Sequence, residues 1–565
     1  MATKKIKHIL IFLSLLLGFM THAFSQTANI PDTADFWSEY PDEALGDFLI
    51  SKMTDEELLA QIFMFGWEGV EPSGYLTRWV SDRGLGSVKV FGRNARNTEE
   101  VAKSVTALQR QAQSRPLRIP LYVATDQEGG WIRHIKGNTS DTPGNMAIGA
   151  SGYPIDSYWS AYYISREISA LGINMNFAPT VDVYSNREST VIGPRSFSDN
   201  PEYVGELGSA FVAGSIAAGV IPTAKHFPGH GDTSLDSHGK LPEINIDMKT
   251  LEERELVPFK YLITENIPAI MSGHLSFPLI LKNGEPASLS KTFLTDLLRE
   301  KLGFKGLIIT DDMMMNGATL FAGSMSRAFT LAIEAGNDII LSSYDTPLDE
   351  PLWEKNLELM KKDAAFREKV TVAARRVVVS KLKYFKGANA APLYPDLASL
   401  KNRIPDPDGE KFFLKQACRS ITSYKKGLVP FSQKGERILL CGQTQFPDFF
   451  EEAEKRFSGC NRFQFDYNAG PNFIEWAEDN LPSLAAGYDV IIFCVSDPSS
   501  ARIIKCLRKL NKKVIIFSVL TPVYVLDYDW ASTILLGYSY SPYSFRALYG
   551  ALCGDFEPQG KLPLR

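Results

Sequence analysis

Cysteine is missing before position 418 of this 565-residue chain, and all six cysteines lie between Cys418 and Cys553. They form no Cys-x-x-Cys motif, so the sequence does not predict a thiolate metal site. Cys441 and Cys494 lie in apolar runs typical of buried strands, where a free thiol behaves as a small hydrophobic group. We therefore expect buried thiols, although an exported location would also permit disulfides whose pairing the sequence does not reveal.

An excess of charge of one sign is also missing. The 60 basic and 65 acidic residues give a net charge of -5, so the chain lacks the wide positive field that nucleic-acid binding requires. We exclude nucleic acid as a partner. The 44% hydrophobic and 22% charged residues are typical of a soluble globular protein, and the length predicts two domains, since single domains usually have about 50–250 residues.

Apolar runs long enough to cross a membrane, which need about 20 residues, are absent. The run from Ile9 to Met20 has 12 residues and follows the basic segment KKIK, with small residues at Ala23 and Ser25 behind it. This arrangement is typical of a signal peptide. We predict a signal peptide over residues 1–26 and an exported, periplasmic or extracellular protein without a stable membrane span; an uncleaved N-terminal anchor is the alternative.

Short apolar runs alternate with amphipathic stretches from about residue 30, the pattern of parallel strands joined by helices. The runs include SVKVFG, PLYVATD, INMNFAP, VIPTAKHF, PAIMSGH, GLIITDD and NDIILSS. Ionisable residues lie at their carboxyl ends, namely Asp126, Asp182, Lys225, His226, His274 and Asp311. Because a (β/α)8 barrel builds its active site at that face from several strand ends, we predict a TIM-like barrel over residues 30–390. An open α/β sheet is the alternative.

Two further stretches complete the predicted organisation. A capping box of Thr54 and Glu57 predicts a helix through the run LLAQIFMF. The segment GANAAPLYPDLASLKNRIPDPDGE is rich in proline, glycine, alanine and aspartate and lacks apolar periodicity, which predicts a linker over residues 391–412. Strand-like runs such as ERILLCG and KVIIFSVL follow, which predicts a smaller α/β domain over residues 413–565. Its first strand precedes CGQTQF, which has one glycine where a dinucleotide-binding motif needs three.

The segment KHFPGHGDTSLDSHGKLP, residues 225–242, concentrates ionisable side chains. His226 and His230 have the spacing of a helical zinc motif, but the intervening Pro228 and Gly229 disfavour a helical turn. We therefore predict no metal site here.

Three residues have the chemistry of an acid/base and nucleophile set. Asp236 can orient the imidazole of His238 and favour its protonated form, which suits a histidine that gives a proton to a leaving group; an exposed loop histidine is the alternative. Asp311 directly follows the apolar strand GLIIT. An ionised carboxylate there can attack an anomeric carbon.

Four segments together resemble glycoside hydrolase family 3: KHFPGHGDTSLDSHGKLP, DQEGG at Asp126, VIGPRSF at Val191 and ITDDM at Ile309. The first is similar to the β-N-acetylglucosaminidase branch, whose members use an Asp–His pair on a loop instead of a glutamate acid. CGDFEPQGKLPL near the C-terminus resembles the closing motif of the second domain of two-domain members. The resemblance covers nearly the whole chain after residue 26 and implies a (β/α)8 barrel followed by an αβα sandwich.

The resemblance implies a retaining exo-β-N-acetylglucosaminidase that removes terminal β-linked N-acetylglucosamine from glycans such as peptidoglycan or chitin fragments, without a cofactor. Asp311 is then the nucleophile, and His238 assisted by Asp236 is the acid/base. The resemblance assigns sugar binding to Asp126, Arg195, Lys225 and His226. The family commonly has an arginine eight residues after the first of these, where this chain has His134, so we assign no sugar contact there.

Several alternatives stay open. The substrate of a family 3 enzyme can be a β-glucoside, and a histidine acid/base allows phosphate as the acceptor, because a neutral imidazole repels an anion less than a glutamate does. The substrate's own acetamide can also attack in place of Asp311. A barrel that binds carbohydrate without turnover is the non-enzymatic alternative. The sequence does not reveal the oligomeric state.

Overall fold

Two parallel sheets, each with its own core, organise the chain. The structure is a computed structural model that describes residues 30–189, 191–233, 241–347 and 350–565. The predicted signal peptide and the pair Asp236 and His238 lie outside these residues. Within the described part of the chain, no helix has the length and apolar character needed to cross a membrane.

The first sheet forms a barrel. Its strands, together with the small hairpin β4–β5, are β1 (Phe63–Phe65), β2 (Ser87–Lys89), β3 (Tyr122–Thr125), β4 (Gln127–Gly129), β5 (Ile132–Arg133), β6 (Met175–Asn176), β7 (Ile221–Phe227), β8 (Ala269–Ser272), β9 (Leu307–Thr310) and β10 (Ile340–Ser342). The order is β10-β1-β2-β3-β6-β7-β8-β9, and a parallel bridge between Ile309 and Ile339 closes it. The predicted (β/α)8 barrel is confirmed.

Helices and helical turns connect these strands. They span Asp42–Lys52, Asp55–Gln61, Gly74–Arg78, Trp79–Arg83, Gly92–Asn94, Thr98–Gln113, Asn145–Ser151, Pro154–Ser169, Gly193–Arg195, Pro201–Ala217, Met248–Thr250, Leu251–Glu255, Leu256–Thr264, Ala287–Leu289, Thr292–Lys301, Asn316–Ala322, Met325–Ala335, Pro351–Lys362 and Ala364–Phe385.

The first strand corrects one sequence-based expectation. The capping box of Thr54 and Glu57 is present, but the helix that it starts ends at Gln61, and Phe63–Phe65 is β1 rather than the end of that helix. All three residues of β1 are buried. A strand covered on both faces has no alternation of polar and apolar residues, so its sequence resembles that of a buried helix.

Alternate strand residues face two separate cores. Leu307 and Ile309 of β9 belong to the cluster inside the barrel, whereas Ile308 packs in the layer between strands and helices. Both faces of the strand are therefore removed from water, as expected for a parallel sheet enclosed by helices.

The second domain is a smaller sandwich. Its strands are β11 (Thr422–Lys425), β12 (Ile438–Gln443), β13 (Asn461–Phe465), β14 (Val490–Val495), β15 (Lys513–Ser518) and β16 (Thr533–Leu536). Their order is β11-β16-β15-β14-β12-β13, and only the edge strand β11 is antiparallel among the described pairs. The helices and helical turns of this domain are Pro407–Ser420, Pro447–Glu454, Pro471–Ala485, Pro498–Ile503, Ile504–Lys509, Pro522–Tyr524 and Pro542–Cys553.

Helices cover both faces of this second sheet. On β12, Leu439 and Cys441 belong to one apolar cluster, whereas Ile438 and Leu440 belong to another. Two cores on opposite faces of one sheet define the predicted αβα sandwich. All six cysteines are free thiols, of which Cys441 and Cys494 are buried.

The predicted linker 391–412 contains regular structure. A short helix spans Leu400–Arg403, and the helix Pro407–Ser420 begins inside the segment. The Asp406 side chain accepts hydrogen bonds from the backbone N–H groups of Asp408 and Gly409, both at 3.1 Å. Asp406 and Pro407, whose residue types contributed to the linker prediction, are therefore a helix cap and a proline at the first helical position. The domain boundaries themselves stay a prediction.

Candidate active site

A buried ionic network lies at the carboxyl end of the barrel strands. Lys225, near the end of the fully buried strand β7, donates to Asp126 Oδ1 at 2.6 Å and lies 2.6 Å from Glu128 Oε1. Arg195 holds the Glu128 carboxylate at both oxygens, Nε to Oε2 at 3.0 Å and Nη2 to Oε1 at 2.8 Å. The two carboxylates and the two cations thus hold one another in fixed positions.

The four groups of this network all stay charged at neutral pH. Burial alone raises the pKa of Asp126, but the nearby Lys225 and Lys89 outweigh it and hold that pKa well below its usual value. Burial also opposes ionisation of Glu128, yet Arg195 and Lys225 bring its pKa to about 2. The network therefore offers fixed charges and several hydrogen-bonding groups to a hydroxyl-rich ligand.

A second buried pair orients an imidazole beside this network. His226 Nδ1 lies 2.7 Å from Asp182 Oδ2. Asp182 Oδ1 accepts from the backbone N–H groups of His226 at 3.1 Å and His230 at 2.7 Å. Burial opposes the ionised form of Asp182, but His226 and these hydrogen bonds bring its pKa to about 2. The bond through Nδ1 turns the ring so that Nε2 is the atom presented to a ligand.

Asp311 is a partly exposed carboxylate at the carboxyl end of β9. It directly follows β9, its backbone N–H donates to the Ser272 carbonyl oxygen at 2.9 Å, and its side chain is partly exposed. Burial raises its pKa, but the nearby His226 and His274, the Asp312 N–H and Lys89 together lower it. The result is an ionised carboxylate that keeps contact with solvent at the mouth of the barrel.

The neighbouring Asp312 has a different task. Its Oδ1 accepts from the backbone N–H groups of Met314 at 3.0 Å and Ser343 at 2.9 Å, so it fixes the turn after β9. His274 supports the same turn, with Nε2 at 3.1 Å from the Asp312 carbonyl oxygen and Nδ1 at 2.6 Å from Ser288 Oγ. Burial lowers the pKa of His274, so we infer a neutral ring that donates through Nε2.

Comparison with known proteins identifies the family. The family model described as "Glycosyl hydrolase family 3 N terminal domain" matches residues 53–379, more than half of the chain. This chain belongs to glycoside hydrolase family 3. It is therefore a glycoside hydrolase, an enzyme with a carbohydrate substrate.

Three similar proteins support the assignment. Beta-hexosaminidase A of Pseudoalteromonas piscicida is 31% identical over 458 residues, which cover 75% of this chain and 73% of that protein. A family 3 beta-N-acetylglucosaminidase structure from Paenibacillus sp. str. FPU-7 is 27% identical with a TM-score of 0.82, covering 91% of this chain and 99% of that one. A fungal multi-domain family 3 beta-N-acetylglucosaminidase has a TM-score of 0.83 at 27% identity. This chain covers 61% of the fungal protein, and 91% of this chain is matched.

The structure of this family 3 enzyme brings together most of the residues that the sequence singled out. Asp126, Arg195 and Lys225 share the buried network, and His226 and Asp311 lie beside it. The described chain stops at Thr233, two residues after Gly231, which lies against the Val183 carbonyl group, and it resumes at Leu241 near His274. Both ends of the stretch 234–240 therefore lie at the same face of the barrel as Asp311.

Two groups of this family 3 site escaped the sequence-based prediction. Lys89 ends β2 and lies 2.8 Å from Asp126 Oδ2, but its only signal was a charged residue inside the apolar run SVKVFG. Glu128 belongs to the quoted DQEGG segment and receives both Arg195 and Lys225. The available signal was that Glu128 lies only two residues after the strand-end Asp126. The short hairpin β4–β5 keeps both carboxylates at the mouth of the barrel.

No group of three or more His, Cys, Asp or Glu side chains in the described ranges is arranged to hold a metal ion. His226 and His230 meet edge to face with ring centroids 5.6 Å apart. Burial lowers the pKa of His230 to about 4, so its imidazole is neutral in the working range of most enzymes.

Proposed function

We propose that this family 3 enzyme removes terminal β-linked N-acetylglucosamine with retention of configuration, through a covalent bond between the sugar and Asp311. The observation that carries the proposal is the partly exposed, ionised Asp311 beside the buried network of Asp126, Glu128, Lys225 and Arg195. That network can bind hydroxyl groups while the carboxylate attacks the anomeric carbon.

The reaction needs one nucleophile and one proton donor. Asp311 attacks the anomeric carbon, and the leaving oxygen receives a proton from His238, which Asp236 orients. Water, deprotonated by the same imidazole, then releases the sugar with its configuration retained. The described ends of the stretch 234–240, at Thr233 and Leu241, support this assignment, since Leu241 lies near His274 at the same barrel face as Asp311.

The substrate class rests on the relatives. The name of Beta-hexosaminidase A of Pseudoalteromonas piscicida specifies a hexosamine, and that of the Paenibacillus beta-N-acetylglucosaminidase specifies N-acetylglucosamine. The proposed signal peptide over residues 1–26 agrees with a substrate outside the cytoplasm, such as peptidoglycan or chitin fragments. We propose a periplasmic or extracellular enzyme on these grounds.

Replacement of the nucleophile tests the mechanism. Asp311→Ala is expected to lower kcat/KM for an aryl β-N-acetylglucosaminide by about ten-thousandfold, because the covalent step loses its attacking group. Circular dichroism and the thermal midpoint are expected to stay close to those of the wild type. Asp82→Asn, at an exposed aspartate, is the control and is expected to leave kcat/KM unchanged. Turnover by Asp311→Ala at the wild-type rate would contradict the proposal.

Product and intermediate separate the remaining alternatives. Proton NMR of the released sugar is expected to show the β-anomer first. Mass spectrometry after treatment with a slow fluorinated substrate is expected to find the sugar on the peptide that contains Asp311; an unlabelled protein with an oxazoline product favours attack by the acetamide. Parallel assays with an aryl β-glucoside, and with and without phosphate, test the glucosidase and phosphorylase alternatives.

A further inference from the structure

Lys89 is a buried lysine that meets the sugar-binding carboxylate from the side opposite Lys225. It ends β2 and is 5% exposed, with Nζ 2.8 Å from Asp126 Oδ2. The other oxygen, Oδ1, receives Lys225 at 2.6 Å. Each oxygen of Asp126 is therefore held by its own ammonium group, and the plane of the carboxylate is fixed between β2 and β7.

Aromatic rings hold the ammonium of Lys89 in place. Its Nζ lies 4.3 Å from the ring centroid of Phe91 and 5.0 Å from that of Phe177. Cation–π contacts of this kind stabilise a desolvated ammonium and restrict its position. The lysine is thus a rigid charge in the site rather than a mobile surface cation.

His134 approaches the same carboxylate without supplying a charge. Its backbone N–H donates to the Asp126 carbonyl oxygen at 2.9 Å, and its Nδ1 lies 3.5 Å from Asp126 Oδ2. The ring packs against Phe91 at 5.4 Å. Burial lowers the pKa of His134 to about 4, so at neutral pH the positive charge on this side of Asp126 comes from Lys89.

Lys89 also contributes to the electrostatics of Asp311. Burial raises the pKa of Asp311, whereas His226 from β7, His274 after β8, the Asp312 backbone N–H and Lys89 from β2 lower it. Among these groups Lys89 carries an ammonium and adds positive charge to the surroundings of Asp311. That charge favours the ionised form of Asp311.

We propose that Lys89 is a positioning residue of the reaction, which fixes Asp126 for the sugar hydroxyls and adds a positive charge to the field of Asp311. The inference rests on the proposed function, because it assumes glycosyl transfer to Asp311. It assigns to one strand-end lysine both a binding effect, through Asp126, and an effect on the covalent step.

Lys89→Met and Lys89→Arg separate the two effects. Lys89→Met is expected to raise KM about tenfold, because Asp126 loses a charged hydrogen-bond partner. Loss of a positive charge destabilises ionised Asp311 and raises its pKa. The acid limb of the pH dependence of kcat/KM is therefore expected to move upward by about one pH unit. Lys89→Arg keeps the charge and is expected to leave this limb in place. Lys103→Met, at an exposed lysine paired with Glu99, is the control and is expected to change neither quantity.

A second substitution tests whether the charge or the lysine itself matters. Because the side chain at position 134 reaches Asp126, His134→Arg in the Lys89→Met background is expected to return the acid limb toward its wild-type position. The proposal is overturned if Lys89→Met folds and has the wild-type KM and the wild-type acid limb of kcat/KM. It is also overturned if the activity falls but the acid limb does not shift, because that result indicates a merely structural role. If Lys89→Met does not fold, Lys89→Arg decides: an acid limb at the wild-type pH supports the proposal, and a shifted one overturns it.

Failure of the proposed function gives a different result. If the wild type prefers an aryl β-glucoside, the proposed substrate is wrong, and the same Lys89 variants are compared on the glucoside. If the wild type cleaves neither glycoside, calorimetric titration with N-acetylglucosamine decides: Lys89→Met is expected to bind about tenfold more weakly, and equal affinity overturns the role of Lys89.

Discussion

Glu255 is a buried carboxyl group beside the segment that follows β7. Its Oε1 accepts from Arg254 Nε at 2.7 Å, whereas its Oε2 is buried with no hydrogen-bond partner in the described part of the chain. Burial raises the pKa of Glu255 to about 7, and the charges of Asp182 and Asp232 add to the effect that Arg254 opposes. The group is thus largely protonated below neutral pH.

This raised pKa predicts a loss of stability as pH increases. Protonated Glu255 makes its full contribution to the free energy of unfolding below its unfolded pKa of about 4.3. This contribution is lost as the pH rises through about 7, where the buried group ionises. Glu255→Gln stays neutral, so it is expected to be more stable than the wild type by about 2 kcal/mol at about pH 8, with the difference shrinking toward about pH 5. Urea unfolding at both pH values measures this.

The neighbouring Glu253 provides the control, because it lies on the same helical turn and is exposed. Glu253→Gln is expected to follow the wild type at both pH values. Parallel pH dependence of Glu255→Gln and the wild type would show that Glu255 does not titrate near neutrality.

At the residue scale, the sequence predicted which residues belong to the site better than which of them contact one another. Asp126 and Lys225 are strand-end residues far apart in the chain, and the barrel brings them within 2.6 Å of each other. Lys89 was missed because a charge inside an apolar run indicates a strand and not the partner that its side chain meets. Strand ends can be read from patterns; the contact between two of them depends on side-chain direction.

Among the elements, the turn after β7 has the tightest steric demand near the site. A Cβ added at Gly231 would lie 1.6 Å from the Val183 carbonyl oxygen. Val183 directly follows Asp182, which orients His226. The backbone of the two segments therefore approaches too closely for any residue other than glycine.

Gly231→Ala is expected to displace one of these segments. The strain is expected to cost about 2 kcal/mol of stability. Displacement of Asp182 also misorients His226, which is expected to lower kcat/KM by at least about tenfold. Unfolding and steady-state kinetics measure the two effects. Gly74→Ala is the control, since no atom lies within 4 Å of its added Cβ; similar losses in both variants would show that the close approach to Val183 is unimportant.

At the element scale, the sequence predicted most barrel strands because each is an apolar run, and most of these runs end in a charged residue. The strand β1 was assigned to a helix because Phe63–Phe65 is buried on every side and follows a true capping box. The start of the helix Pro407–Ser420 was assigned to a linker because Asp406 and Pro407 are common both in loops and at helix caps. Short buried strands and caps need tertiary contacts to be recognised.

Across the whole molecule, the two domains are joined by buried polar contacts. Arg419 of the second domain donates through Nε to Asp156 Oδ2 at 3.0 Å and also contacts Oδ1. Asp156, on a barrel helix, is 1% exposed. The chain end adds to the interface, where Ser198 Oγ donates to the Pro563 carbonyl oxygen at 2.6 Å.

Arg419→Met is expected to destabilise the chain by about 3 kcal/mol, because it leaves the Asp156 carboxylate buried without its cation. Asp156→Asn combined with Arg419→Met removes that charge and is expected to recover more than half of the loss. Chemical unfolding measures both. Arg437→Met, at an exposed pair with Asp489, is the control and should cost less than about 1 kcal/mol; an equal cost in the two single variants contradicts a buried interdomain pair.

At this scale the sequence predicted two domains and their types but not how they meet. The contact between Arg419 and Asp156 joins residues 263 positions apart, and neither side chain belongs to a recognisable motif. Each sheet can be inferred from its own apolar runs, whereas the interface depends on complementary surfaces that appear only after both sheets have formed.

The confinement of all six thiols to the second domain has a practical consequence. Cys441 and Cys494 are covered in the native fold, so their alkylation by a maleimide requires that the sandwich open, while the barrel contributes no reactive sulfur. Alkylation rates of the wild-type enzyme, measured by mass spectrometry, therefore report how fast the second domain opens. Loss of activity reports separately on the barrel.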